Sequence, residues 1–464
     1  MAGSELIFFL GQGNQYFVRE KNMATVLPFN GILYNQKKIG DLSAVVTPPY
    51  DVISPEEQIR FYERHPNNVI RLDLGKKTTD DHEKDNVNTR AAGYFYDWIS
   101  QGVLVQDTEP SLYLTTLDFQ LSGRMMIRYG MIALVGLEPF EKRIVLPHEK
   151  TFSKVKSERL DLMKACHANF SQIFSLYSDR EGILDLLKEA ALQSKPVFDI
   201  LDDRQDRHRM WRITNPAVQA KVTGLMKDKR LFIADGHHRY ETALNYRTWR
   251  SENDPEFTAH HPANFVMMYL CSMEDPGLIV LPAHRMLIDV EVEKIKTLPD
   301  RLAQYFEITR IPFADNQKKK ALDSLLAMLE KHESKNAIGT YSKGSDAFLH
   351  MVLKKGVMEA TFGNQLPESL RQLDVTVLTR LILMEILGFN GSHLDNEKLI
   401  TYSSSVDKTI ESVAKGESDV CFILNPTRIE QVKRIAEEGQ IMPRKTTYFF
   451  PKALTGQVFN RLNP

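Results

Sequence analysis

The stretch Arg230-Leu-Phe-Ile-Ala-Asp-Gly-His-His-Arg-Tyr-Glu-Thr-Ala-Leu-Asn-Tyr-Arg-Thr-Trp249 reads as strand, tight turn and helix. Leu231 to Ala234 are a short apolar run suited to a buried strand, Asp235-Gly236 is a turn dipeptide, and Tyr240, Ala243, Leu244 and Arg247 follow helical spacing. A helix entered through Asp-Gly leaves its first backbone amides unpaired, and the positive end of its dipole favours an anion there. His237, His238 and Arg239 sit at that mouth. Gly236 permits close backbone approach, Arg239 can fork onto phosphate oxygens, and neutral histidines can donate hydrogen bonds or move protons near neutral pH. An anion site is expected here; the blander alternative is a satisfied histidine beside a helix start.

Three other stretches carry clustered polar chemistry. Thr47-Pro48-Pro49-Tyr50-Asp51 is extended by its prolines, and Ser54-Pro55-Glu56-Glu57 starts a helix with Ser54 as N-cap and Glu57 as its capping-box partner. That stiff loop presents Tyr50 and Asp51, unless it is only a connector. Pro147-His148-Glu149-Lys150-Thr151 follows an apolar edge and offers a metal ligand, a base or phosphate contacts; a solvated loop with one salt bridge is the alternative. Met442 to Gly456 gathers Lys445, Thr447 and Lys452, residue types suited to phosphate oxygens, against the alternative of an edge strand with a wet face. Walker A, G-x-G-x-x-G, G-x-S-x-G and H-E-x-x-H patterns are absent from the sequence.

Composition narrows the class. The chain has 464 residues, 42% hydrophobic and 26% charged, enough for two or three lobes with real cores. A formal net charge of -1 provides no overall field for nucleic acid or an anionic membrane, so neither is expected as a partner. Cys166, Cys271 and Cys421 are far apart and match no zinc or disulfide framework, which points to a reducing, cytoplasmic setting. No run approaches the roughly 18 apolar residues of a membrane span. Residues 1–23 lack the marks of a signal peptide and are expected to be a poorly ordered extension, with Met23 a candidate start.

Along the chain, strands and helices alternate, which predicts an α/β to α+β fold. Strands are expected at 68–74, 111–119, 125–138, 170–177, 208–214, 264–272 and 278–282, the last two buried; 195–207 reads as a polar crossing. Residues 24–288 form the expected first lobe. A lysine-rich second α+β lobe follows over 289–400, with an apolar helix from Asp374 to Leu387 ended by Gly388. Residues 401–464 are expected to return to the first lobe, because Lys445, Thr447 and Lys452 make little sense far from an anion.

Taken together, Thr47 to Ile53, Pro147 to Thr151, Ile233 to Leu244, Leu281 to Arg285 and Met442 to Gly456 resemble the bacterial and archaeal family of unknown function numbered 1015. That resemblance implies the ParB/sulfiredoxin superfamily, whose members bind ATP or CTP phosphates at a Gly-x-x-His-Arg-like turn before a helix, and whose wider group includes free serine kinases. It gives Gly236, His237, His238 and Arg239 the nucleotide-phosphate role, with Asp235 just ahead of them and His148, Thr151, His284, Arg285, Lys445, Thr447 and Lys452 in support. His237 stands where sulfiredoxin has its reactive cysteine, which disfavours sulfinic reductase chemistry. The neutral charge and lack of a helix-turn-helix disfavour a chromosome-partitioning role.

The resemblance therefore implies a phosphotransferase using ATP or ADP, with CTP as the alternative nucleotide, and a small hydroxylated acceptor, L-serine foremost. A nucleotide-gated regulatory protein is the rival, and a structural protein with a vestigial site the third class. Phosphoryl transfer asks for charge neutralisation, usually with Mg²⁺, and for a group that takes the acceptor proton. Asp51 or Glu149 is the expected base, His237 and His238 are further catalytic candidates, and Asp235 is the expected magnesium ligand.

Overall fold

Successive residues of a pleated strand face opposite sides of a sheet. In the motif strand Leu231–Asp235, Leu231 and Ile233 pack into one hydrophobic core while Phe232 and Ala234 pack into another. Phe265–Ser272 divides the same way: Val266, Met268 and Leu270 join the first core, and Met267, Tyr269 and Cys271 the second. Both strands are interior to one large mixed sheet in the computed structural model, which describes residues 24–463.

Among the described residues that sheet has nine strands. Its spatial order is Val145–Leu146, Leu231–Asp235, Ile173–Tyr177, Phe265–Ser272, Arg124–Gly136, Leu112–Leu121, Arg207–Ile213 and Phe198–Leu201, with Val26–Leu27 also paired to Arg124–Gly136. The motif strand runs parallel to Val145–Leu146, and Phe265–Ser272 parallel to Ile173–Tyr177; the other pairings are antiparallel. Register matters for the site: Phe232 lies opposite Leu146, so the loop after Leu146 emerges beside the turn at Gly236.

A second, antiparallel sheet orders Phe306–Pro312, Ala347–Leu353, Ala337–Ser342, Val420–Leu424, His284–Leu287 and Ile400–Ser403. One face buries the helices Lys318–Lys331 and Val406–Lys415 through Leu322, Leu325, Ile410 and Val413. The opposite face packs the helix Val292–Ala303 and the apolar segment from Val375 to Leu387. The chain is thus a mixed α/β protein with one large mixed sheet and further small ones. No helix among the described residues is long and apolar enough to cross a membrane, and all three cysteines are buried and unpaired.

Several expectations need correction. Residues 68–74 are not a strand: the Asn68 side chain accepts the Ile70 amide at 2.9 Å, and the turn so formed runs into the short helix Ile70–Asp73. The crossing 195–207 contains the strand Phe198–Leu201, whose buried Phe198 and Ile200 alternate with exposed Asp199 and Leu201. Ile279–Leu281 is only half-buried and pairs in a two-stranded ribbon with Tyr448–Phe450. The apolar helix ended by Gly388 is present, but from Val377 to Ile386 it is π-helical. The second sheet starts at His284 rather than 289 and still takes strands at 400–403 and 420–424, so a boundary at 401 would cut through it. The expected N-terminal extension lies outside the described residues.

Beyond Met442 the chain runs along the first sheet's loops. The Met442 amide donates to the His148 carbonyl at 2.9 Å, and Thr47 and Thr455 exchange backbone hydrogen bonds at 3.2 and 2.8 Å. The first of these contacts fixes the Glu149 loop and the second the Asp51 loop. The Asp51 loop ends in the expected capping box: Ser54 accepts the Glu57 amide at 3.2 Å, and the Glu57 carboxylate accepts the Ser54 amide at 2.9 Å. Replacing Ser54 by Ala should cost about 1 kcal/mol, the usual value of such a cap, read as a lower urea midpoint with an unchanged slope.

Candidate functional site

Gly236 has φ +95°, a backbone conformation that side-chain-bearing residues rarely adopt, and it turns the chain from strand into the helix His237–Asn253. A Cβ there would lie 2.8 Å from Arg239 Nε. No side chain among the described residues caps the first-turn amides of this helix, so they keep the electropositive character of a helix start.

Asp235 ends the strand and is almost buried. Its Oδ2 takes a hydrogen bond from Arg239 Nη2 at 2.5 Å, and its Oδ1 is ion-paired with Lys452. Burial alone would raise this carboxyl; Lys452 and Arg239 outweigh it and hold it well below the usual range. Arg239 spends Nη1 on the Gln172 carbonyl at 2.5 Å. The guanidinium expected to grasp phosphate is therefore engaged inside the protein. Asp235, expected to bind magnesium, has both oxygens on cations, and the described residues contain no group of three or more His, Cys, Asp or Glu arranged to hold a metal ion. The donor set does not fit a magnesium ion at Asp235.

The loop after Val145–Leu146 lies across the first turn of the helix. His237 Nε2 accepts the His148 amide at 3.2 Å, His238 Nε2 accepts the Phe152 amide at 3.0 Å, and Thr151 donates to Glu241 at 2.8 Å. His237 Nδ1 stands 3.6 Å from Glu149 Oε2. Burial lowers both histidines, His237 far more, and lowers His148 to about 4. Burial also pushes the Glu149 carboxyl up to about 7, helped by the negative charges of Asp235 and Asp51 and opposed by Lys452 and Lys445. Crowding by the surrounding protein and the charge of Asp235 raise Asp51 as well, against Arg239 and Lys452. Asp51 nonetheless opens to solvent.

The remaining candidates separate into two groups. Thr447 Oγ1 lies 3.2 Å from His148 Nε2, and Lys445, exposed, sits within electrostatic reach of Glu149. His284 and Arg285 belong to the second sheet instead. His284 Nδ1 accepts the Leu424 amide at 3.2 Å, and burial lowers it to about 4. Arg285 is buried, donates to the carbonyls of Arg444 and Lys445 at 3.0 and 2.9 Å and to that of Ala283, and is lowered by burial to about 10. Both expected phosphate contacts thus have their hydrogen bonds elsewhere: Arg285 grips the backbone that carries Lys445.

Sequence reasoning missed several neighbours. Arg159 is ion-paired with Asp73 and lies 4.2 Å from the Tyr50 ring centre, bracing the Asp51 loop. Glu241 takes both Thr151 and Lys156; its spacing of four from His237 put it on the same helix face, a usable signal. Gln172 and the buried Arg128, which donates to the Pro451 carbonyl at 2.5 Å, had no local signal.

The family model described as a protein of unknown function, DUF1015, matches residues 26–376. The chain belongs to that family. The matched span holds four of the stretches above, while Met442 to Gly456 lies beyond it. Solved structures that overlap the DUF1015 chain include free serine kinase in complex with AMP, at 13% identity and TM-score 0.33 over 68% of this chain and 86% of that one. A variant of free serine kinase in complex with ADP overlaps at 12% and 0.33 over 68% and 87%. A conserved hypothetical protein from Pyrococcus furiosus overlaps at 12% and 0.31 over 68% and 90%. No curated protein matches the sequence.

Lys452 is the cation on which this arrangement hangs. Lys452→Met should cost about 3 kcal/mol, because a nearly buried carboxylate loses one of its two partners. The sign of the acid response follows. A depressed carboxyl contributes stability that is present above its unfolded value of about 4 and lost as pH falls through its folded value. Without Lys452 that folded value rises, so circular dichroism should show acid unfolding at higher pH in the variant than in the wild type.

Proposed function

We propose that this DUF1015 protein is a cytoplasmic, nucleotide-dependent phosphotransferase, using ATP or ADP to phosphorylate a small hydroxylated metabolite, with L-serine the first acceptor to test. One observation carries the reading: a carboxyl with its pKa near 7, Glu149, stands beside the uncapped start of a long helix and is surrounded by balanced charges. A base is most effective when its pKa lies near the working pH, and a helix start favours phosphate oxygens. On this reading the first-turn amides and exposed Lys445 receive the phosphates, and Glu149 takes the proton from the acceptor hydroxyl. Asp235, Arg239 and Lys452 keep the charge of the site balanced. Asp51, across the opening, is the second base candidate. The nine-stranded half is then the ParB/sulfiredoxin-like nucleotide lobe, running from about residue 24 to the start of the six-stranded sheet at His284, and the six-stranded half the second lobe.

The rival reading, a nucleotide-gated regulatory protein, draws support from one specific fact: Arg239 and Lys452 are both ion-paired with Asp235. Phosphorus NMR on the protein incubated with ATP, ADP or CTP, magnesium and a panel of hydroxyl amino acids separates the two. A new phosphomonoester resonance accumulating over many turnovers supports the kinase; nucleotide binding without product supports the switch.

Variants sharpen the roles. Glu149→Gln should lower turnover by about a hundredfold or more with little change in nucleotide affinity, whereas Lys445→Ala should weaken nucleotide binding about tenfold and leave the fold intact. Turnover should rise with pH through about 7 as Glu149 loses its proton, a midpoint set by burial and the charges of Asp235 and Asp51 against Lys452 and Lys445. Stability runs the other way. A raised carboxyl pKa means the folded state holds the proton more tightly, so stability falls between the ordinary carboxylate value and about 7, and Glu149→Gln should stabilise the fold at pH 8 but not at pH 4. Full turnover in both Asp51→Asn and Glu149→Gln would remove the base assignment.

A further inference from the structure

His237 and His238 face the Glu149 loop with acceptors, not with protons. Each ring takes a backbone amide on Nε2, from His148 and Phe152 respectively. A ring nitrogen that accepts such a bond carries no proton, so the neutral ring's single proton sits on Nδ1. For His237 that Nδ1–H lies on the side of Glu149 Oε2, 3.6 Å away. Adding a proton to either Nε2 would set donor against donor. Neither Nε2 has a lone pair left to take a proton from a substrate.

The two contacts bracket Glu149, one residue on its N-terminal side and three on its C-terminal side. Other groups fasten the same segment. Thr151 is tied to Glu241 at 2.8 Å, and the Phe152 ring stacks against His238 with centres 5.9 Å apart and planes 18° apart. From the other direction, the Met442 amide holds the His148 carbonyl, Thr447 meets His148 Nε2, and the Arg444 guanidinium lies 4.9 Å from the Phe152 ring centre. The segment 148–152 is thus gripped between the first turn of the helix and the C-terminal stretch.

We propose that His237 and His238 are positioning residues, a paired clamp whose Nε2 acceptors hold the 148–152 segment so that the Glu149 carboxylate is presented at the helix mouth, with His237 Nδ1–H oriented toward it. This rests on the phosphotransferase reading for its catalytic consequence, while the clamp itself is tested without turnover. The groups facing Glu149 are His237 from the helix, Asp235 from the strand, Asp51 from its loop, and Lys445 and Lys452 from the C-terminal stretch.

The test uses the full chain and the variants His237→Gln, His237→Ala, His238→Gln and His238→Ala. Glutamine keeps an acceptor oxygen but has no ring proton to transfer. Ring nitrogen-15 shifts of the wild type should show both histidines protonated on Nδ1. Amide hydrogen exchange should speed up by about tenfold at His148 in His237→Ala and at Phe152 in His238→Ala, the size expected for one lost hydrogen bond, and stay slow in the glutamine variants. Turnover with ATP or ADP and serine should fall in the alanine variants and be rescued by glutamine.

An Nε2-protonated ring in the wild type overturns the proposal. Unchanged exchange in the alanine variants does so too, as do glutamine variants that keep slow exchange yet are as inactive as alanine, because the rings would then act chemically. If the wild type turns over no acceptor, the kinase reading falls, and the exchange and ring-nitrogen measurements still decide the clamp.

Discussion

The site depends on one carboxylate with two cations. Asp235 ends the motif strand, Arg239 reaches back to it from the first turn of the following helix, and Lys452 arrives from 217 positions further along the chain. A carboxylate this little exposed is costly without partners, and a single cation would leave one oxygen unpaired. The pair of partners solves that problem in a way that also shapes the site. Arg239 fixes the angle at which helix leaves strand, and Lys452 fixes where the C-terminal stretch passes. The sequence of a local turn and the path of a distant segment are thereby determined by the same two oxygens.

With Asp235 ionised, its neighbours cannot be ordinary carboxylates. Burial raises Glu149 and Asp51, the charge of Asp235 adds to it at both, and Lys452 and Lys445 only partly offset the effect at Glu149. This is how a protein keeps one carboxyl ionised and another near neutrality within one small region: the partners are distributed unequally. Asp235 has two cations in contact. Glu149 has a neutral histidine ring at 3.6 Å and its cations at longer range. The histidines stay neutral because they are buried, and their neutrality is what allows them to accept amides instead of adding further positive charge.

Much of this was legible in the sequence, for reasons that are local. Leu231 to Ala234, the Asp-Gly turn and the helical spacing after it are contained in about twenty residues, and strand, turn and helix appear as read. The Ser54 capping box is equally local. The misreadings have one physical source. Val69 and Ile70 suggest a strand by residue type, but a turn in which Asn68 Oδ1 accepts the Ile70 amide decides otherwise; the charged stretch around Asp199 hides a strand because Asp199 points outward on an edge. At the site, residue types announced that His237, His238 and Arg239 matter, yet not what they bond. Arg239 was read as a phosphate fork because nothing in its neighbourhood predicts that Asp235 and the Gln172 carbonyl will both be in range.

The second sheet enters the site through its backbone contacts. Arg285 stands in a strand of the six-stranded sheet, buried and without a carboxylate, and its guanidinium is held by the carbonyls of Ala283, Arg444 and Lys445. Carbonyl dipoles are weaker partners than an anion, which is why burial is able to lower this arginine to about 10. The energetic cost is tolerated at a place where two polypeptide regions must be joined in one geometry. Lys445 adopts a left-handed backbone conformation, φ +54°, immediately past that grip, and its side chain stays exposed on the Glu149 side. A residue in that conformation is held by its surroundings rather than by its own preference. The position of an exposed cation within electrostatic reach of the raised carboxyl is therefore set by the half of the chain that contributes no carboxylate to the cluster, and Arg285 belongs beside the other motifs because it builds the support from which Lys445 projects.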